Sequence, residues 1–256
     1  MTALILLAHG SRHSETKPVL EEVVALVREK MPLTRLDAPS QIRLAWLDLD
    51  EPSLDAVCAD LAAAGETRAL AVPLLFTDAF HSRVDVPEQV RLCDRHGVDI
   101  TVAAGLGLGD GTKRAVVKRI IEAAEKASFS WPVDALVMGV GSSDEDANAA
   151  VHQFAAGLGG MLPGYVSASF VVGPEKIKGA DAVAVAQERA AKRGRGLVVV
   201  PLFTAPGLLW DRVVDAGAAA GAGQVAFGEP LAELLAPIVC CRWDSRSAYA
   251  NVPVVA

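Results

Sequence analysis

The sequence predicts an α/β protein of two similar lobes, each a four-stranded parallel sheet with helices on both faces. Three observations predict it. The chain is 52% hydrophobic but only 5% aromatic, so its apolar content is mostly aliphatic, which suits helices packed on buried strands. Short aliphatic runs alternate with longer segments of helical period along the whole length. The order of these segments in the first half recurs in the second. Strands alternating with helices through short, right-handed connections assemble as a parallel sheet covered on both faces.

Taken in order, Leu4-Ile5-Leu6-Leu7 is an apolar run ending in Ala8-His9-Gly10-Ser11-Arg12. The segment after it carries Val19, Leu20, Val23, Val24 and Val27 at helical spacing. Residues 135–158 repeat this order: a buried strand, then Gly141-Ser142-Ser143, then acidic helix-starting residues and a helix. Gly10-Ser11 aligns with Gly141-Ser142. Second strands are expected over IRLAWLDLD (42–50) and YVSASFVV (165–172), each followed by an alanine-rich helix. Third strands fall in ALAVPLLFT and LVVVPLFT, with an Arg-Val downstream in both halves. The fourth pair, beginning at Ile100 and Gln224, breaks at glycine and enters a helix. Ser128, Trp131 and Pro132 interrupt the helical pattern. The predicted lobes are therefore 1–127 and 133–256.

Bulk properties narrow the function. Net charge is -7 and no Lys/Arg cluster forms a basic stripe, so nucleic acid is not an expected partner. No apolar run reaches the ~18 residues of a membrane span, so no membrane association is expected. The four cysteines form no C-x-x-C pair and are expected to be reduced thiols in the cytoplasm. An acidic protein repels polyanionic ligands at long range, so any such ligand must meet local cations. Arg12 and Arg83 are the candidates.

Ligands of such sheets sit beyond the carboxyl ends of the strands. The loops after the first and third strands carry His9 and His81. Other features have plainer readings. Gly105, Gly107, Gly109 and Gly111 follow a fourth strand, whereas a dinucleotide fingerprint follows the first. Cys240 and Cys241 read as partly buried small residues, and His13, His96 and His152 as solvated or capping. Asp85 could orient His81, and Glu88 suits the first turn after Pro87.

LILLAHGSR (4–12), VPLLFTDAFHSRVDVP (72–87) and GVGSSDEDANAAV (139–151) resemble the CbiX-type sirohydrochlorin chelatases, ATP-independent class II enzymes. The resemblance covers nearly the whole chain. It implies that His9 and His81 are the catalytic and metal-handling pair. It also implies insertion of Fe2+ or Co2+, as substrate metal, into sirohydrochlorin, with no permanently bound cofactor. Long members of that family look like fused duplicates of a short homodimeric form, which implies a two-lobed monomer here. Val140 stands where the first half has His9, and nothing between Pro206 and Trp210 replaces His81. The implied site is single.

The chemistry fits these residue types. Inserting a divalent metal into a tetrapyrrole displaces two N–H protons, and imidazole both accepts protons near neutrality and ligates Fe2+ or Co2+. Two histidines without thiolates leave coordination positions open, so the metal can be passed on. Gly10, Ser11, Arg12 and Arg83 are expected to receive substrate carboxylates, the turn N–H groups acting as a helix N-terminus does. The alternative function is a metal or tetrapyrrole carrier that does not catalyse insertion.

Overall fold

A computed structural model describes residues 2–32, 35–77, 86–219 and 224–246. The first repeat runs β1 (Ala3–Ala8), α1 (Thr16–Lys30), β2 (Ile42–Trp46), α2 (Leu54–Ala63), β3 (Arg68–Pro73), α3 (Val86–Cys93), β4 (Asp99–Val102) and α4 (Asp110–Lys126). The second runs β5 (Asp134–Gly139), α5 (Glu145–Leu158), β6 (Val166–Phe170), α6 (Gly179–Lys192), β7 (Leu197–Pro201), α7 (Leu208–Ala219), β8 (Val225–Phe227) and α8 (Ala236–Asp244). The sheets have the orders β2-β1-β3-β4 and β6-β5-β7-β8, and every pairing is parallel.

The central strands show why the aliphatic runs fold this way. All six residues of β1 and all six of β5 are buried, because helices cover both faces and leave no polar side. On one face of the first sheet, Ile5, Leu7, Ala69 and Ala71 pack with Leu54, Val57 and Leu61 of α2 and Val86 and Val90 of α3. The second sheet does likewise, with Leu136, Met138, Leu197 and Val199 against Ala182 and Val183 of α6 and Trp210 and Val213 of α7. Each such Leu, Ile or Val contributes about 1.5–3 kcal/mol by leaving water. No described helix is long and apolar enough to cross a membrane.

Packing divides the chain differently from the repeat. One compact unit comprises 1–107 and 233–256, the other 108–232, so the last helix of each repeat packs with the sheet of the other. Helix α8 lies against α1 and β3, and α4 against β7 and β8. Two arginines hold these helices by the same device. Arg242 of α8 donates to the carbonyls of Gly105 and Leu106, both at 2.8 Å. Arg119 of α4 donates to Pro230 O at 2.8 Å and Leu231 O at 3.3 Å. These carbonyls follow β4 and β8 respectively. Trp243, 1% exposed, adds a bond from Nε1 to Asp37 O.

One element is shorter than the sequence predicts. Strand β2 stops at Trp46 rather than Asp50. Leu47 N donates to Ala8 O, and the chain then turns at Leu49, which has φ 57°, while Asp50 N donates to Asp48 O at 2.6 Å. The period-two pattern LDLD is a loop, and it delivers two carboxylates to the end of β1.

Candidate functional site

The site is built where β1 and β2 end side by side, with Ala8 opposite Trp46. His9 follows β1 by one residue, and Asp48 follows β2 by two. His9 Nδ1 lies 3.3 Å from Asp48 Oδ1, and Gly10 N donates to the same oxygen at 3.0 Å. Ser11 N donates to Asp50 Oδ2 at 2.8 Å. A Cβ on Gly10 would overlap the Asp48 carbonyl oxygen, so glycine is what lets the two loops meet.

This geometry sets the histidine's chemistry. An ionised carboxylate only accepts hydrogen bonds, so the contact with Asp48 requires the proton on Nδ1 and leaves Nε2 of the neutral ring with the lone pair. A carboxylate on the far nitrogen also orients the ring and raises its basicity, as second partners of metal-ligating histidines do. The side chains of His9 and Asp48 are 30% and 51% exposed, so a solute can reach them.

His9, Gly10, Ser11 and Arg12 are thus brought together, with Arg12 exposed. His81, Arg83 and Asp85 lie outside the described residues, between β3 and α3 in chain order. Two features differ from expectation. Helix α1 starts only at Thr16, and the Gly10 and Ser11 N–H groups donate to Asp48 and Asp50, the chain's own carboxylates. Asp48 and Asp50 were not singled out by the sequence. The one signal for them is a pair of carboxylates just past the second apolar run. Ser11 Oγ accepts from His13 N at 3.1 Å and His13 Nδ1 from Glu15 N at 3.1 Å, which shapes the turn into α1. Among the described residues no three His, Cys, Asp or Glu side chains form a metal cage.

The second repeat keeps the backbone and changes the side chains. Val171 N donates to Gly139 O as Leu47 N does to Ala8 O, and Asp144 N donates to Ser142 Oγ at 3.1 Å as His13 N does to Ser11 Oγ. A Cβ on Gly141 would overlap the Val172 carbonyl oxygen. In this register Val140 replaces His9 and Val172 replaces Asp48, and both valines are exposed.

The remaining candidates are structural. Gly105 packs against the Leu75 carbonyl, where a Cβ would sit 2.7 Å away, and its own carbonyl accepts from Arg242. Cys58 and Cys93 are buried, and a hydrogen bond with Cys93, then burial, pushes the Cys58 thiol up. Cys240 is half-buried and Cys241 exposed, with burial raising the Cys240 thiol. His96 pairs with Asp55 and His152 with Glu175, each at 2.8 Å.

Duplicated four-stranded parallel sheets, with an imidazole at the carboxyl edge of one and none at the other, define a fused two-lobe α/β protein with one chemically equipped lobe. The chain belongs to the CbiX family, whose model matches residues 3–123 and 134–233. It is similar to a sirohydrochlorin cobaltochelatase of Saccharolobus solfataricus, 27% identical over 135 residues, which are 49% of this chain and 98% of the relative. One half of the chain thus matches a whole short relative. It is also similar to a sirohydrochlorin ferrochelatase of Bacillus subtilis, 28% identical over 163 residues, 63% of this chain and 59% of that protein. In fold it resembles the sirohydrochlorin chelatase SirB from Bacillus subtilis subspecies spizizenii in complex with cobalt, with a TM-score of 0.71 at 20% identity, covering 98% of this chain and 97% of that one.

Proposed function

We propose that this chain is a sirohydrochlorin chelatase that inserts Fe2+ or Co2+ into a polycarboxylate tetrapyrrole without ATP. The observation that carries the reading is the His9–Asp48 pair at the carboxyl edge of the first sheet in a CbiX-family chain. His9 Nε2 takes the incoming metal, and His9 with His81 accepts the two pyrrole protons. Asp48 holds the His9 ring and offsets the charge it gains. Arg12, Arg83 and the Ser11 hydroxyl receive substrate carboxylates. The Gly10 and Ser11 N–H groups, bonded to Asp48 and Asp50, instead shape the loop. A site of imidazole and carboxylate does not separate Fe2+ from Co2+ by ligand type, so supply decides which is inserted.

Residues 1–127 form the competent repeat and 133–256 a degenerate one, and the chain works as a two-lobed monomer with no resident cofactor. The test mixes metal-free sirohydrochlorin with Co2+ or Fe2+ under anaerobic conditions and follows the visible absorption change. The chain, stripped with chelator and dialysed, is expected to accelerate the change without ATP, and His9→Ala and His81→Ala to lose the acceleration. A chain that binds sirohydrochlorin without accelerating insertion is a carrier instead.

A further inference from the structure

We propose that Leu49 is a substrate-contact residue, whose side chain packs on the apolar face of the tetrapyrrole and sets the affinity for it. The proposal rests on the chelatase reading above and deepens it. Leu49 sits between the two carboxylates that organise the site, at φ 57°, a left-handed conformation that a leucine adopts against its own Cβ sterics. Bonds on either side impose this backbone. Asp48 serves Gly10 and His9, Asp50 serves Ser11, and Asp50 N closes onto Asp48 O.

The bonds explain the backbone but not the side chain. Glycine or asparagine would meet the same φ at less strain. The second repeat shows this. With Leu47 matched to Val171 by their common bond to the end of the central strand, Leu49 corresponds to Gly173, which has φ 113°. The repeat that lost its histidine uses glycine at this turn, and the repeat that has the histidine uses leucine.

Internal packing does not explain the leucine either, because Leu49 is 66% exposed. Its position does. A Cβ on Gly10 would lie 2.9 Å from the Leu49 Cβ, so the side chain rises over the turn next to His9. Asp48, Asp50 and Glu51 surround it with negative charge and repel a substrate's carboxylates from this point. What can approach is the uncharged ring of the macrocycle, and a leucine there gains by being covered. The carboxylates are left to the cationic side of the turn, at Arg12.

The test titrates metal-free sirohydrochlorin into the wild-type chain and into Leu49→Gly, Leu49→Asn and Leu49→Met, reading Kd from the absorption of the tetrapyrrole. Losing the leucine contact is expected to weaken binding about tenfold or more in the glycine and asparagine variants, and methionine to restore it. Relief of strain is expected to raise the melting temperature of Leu49→Gly by about 2–4 °C, while KM for Co2+ stays unchanged. Unchanged Kd in Leu49→Gly, or a fall in its melting temperature, overturns the proposal. Insertion by the wild-type chain is measured in the same samples. Binding without insertion removes the chelatase reading and leaves Leu49 to be judged by Kd, whereas normal insertion with unaltered Kd in the variants removes Leu49 alone. A wild-type chain that does not bind the tetrapyrrole overturns both.

Discussion

One oxygen of Asp48 receives both the Gly10 N–H, at 3.0 Å, and the His9 ring, at 3.3 Å. The same carboxylate therefore ties down the loop and sets the tautomer of the imidazole it carries. Removing it frees the ring to rotate and to move its proton to Nε2, which takes the lone pair from the metal. Asp48→Ala is expected to lower the rate of insertion roughly 10- to 100-fold and to change stability by only about 1 kcal/mol, since the bonds are solvent-accessible. Steady-state insertion rates and a urea melt check both halves. Asp50→Ala, which loses only the Ser11 bond, is expected to be milder.

The second repeat offers no spare site. Val140 and Val172 stand at the positions of His9 and Asp48, and neither side chain binds a metal or a proton. His9→Ala is accordingly expected to lose insertion by roughly 100-fold or more, with a melting curve close to wild type because His9 is partly exposed and outside the core. Residual activity near the wild-type level would mean that chemistry takes place elsewhere in the chain.

The fold was legible because its central strands are unusual sequences. Runs such as Leu4–Leu7 and Val198–Val200 have no polar face, and a strand buried on both sides needs none. The glycine turn after β1 was legible for a similar local reason. Asp48 was not, because Leu47-Asp48-Leu49-Asp50 continues a strand-like alternation. What ends β2 is a distant bond, Leu47 N to Ala8 O, together with the turn at Leu49, and no local pattern contains it. The helix exchange was hidden for a related reason. The apolar stripe of α4 says that one face is buried, but only Arg119 reaching Pro230 and Leu231 shows which sheet buries it.

Asp134, at the start of β5, is 3% exposed and is fully engaged. Arg193 reaches Oδ2 at 2.9 Å, Arg195 reaches Oδ1 at 3.0 Å, and Tyr165 N donates to Oδ1 at 3.1 Å. Alanine there strands the Tyr165 N–H and two guanidinium groups, each of which is partly wet and so softens the loss. Asp134→Ala is expected to cost about 3 kcal/mol, read as a lower urea midpoint at unchanged slope. Because the residue belongs to the second sheet and lies at the end opposite its loops, insertion per folded molecule is expected to stay at the wild-type value.

Asp55 gives the chain a pH dependence whose sign follows from its partners. It lies in the first turn of α2 and pairs with Arg95 and with His96 Nε2, the latter at 2.8 Å. Hydrogen bonds from Arg95 first, and then from His96, hold its carboxyl below the ordinary value of 3.8. A carboxylate with a depressed folded pKa stabilises the fold at any pH above its unfolded pKa, and that contribution disappears as pH falls through the folded value. The melting-temperature difference between wild type and Asp55→Asn is therefore expected to hold steady from neutrality down to about pH 4 and to close below it. The pair is exposed to salt, so raising ionic strength at neutral pH should shrink the same difference. A gap that widens with acid would show that Asp55 is held by contacts to its protonated form rather than by Arg95 and His96.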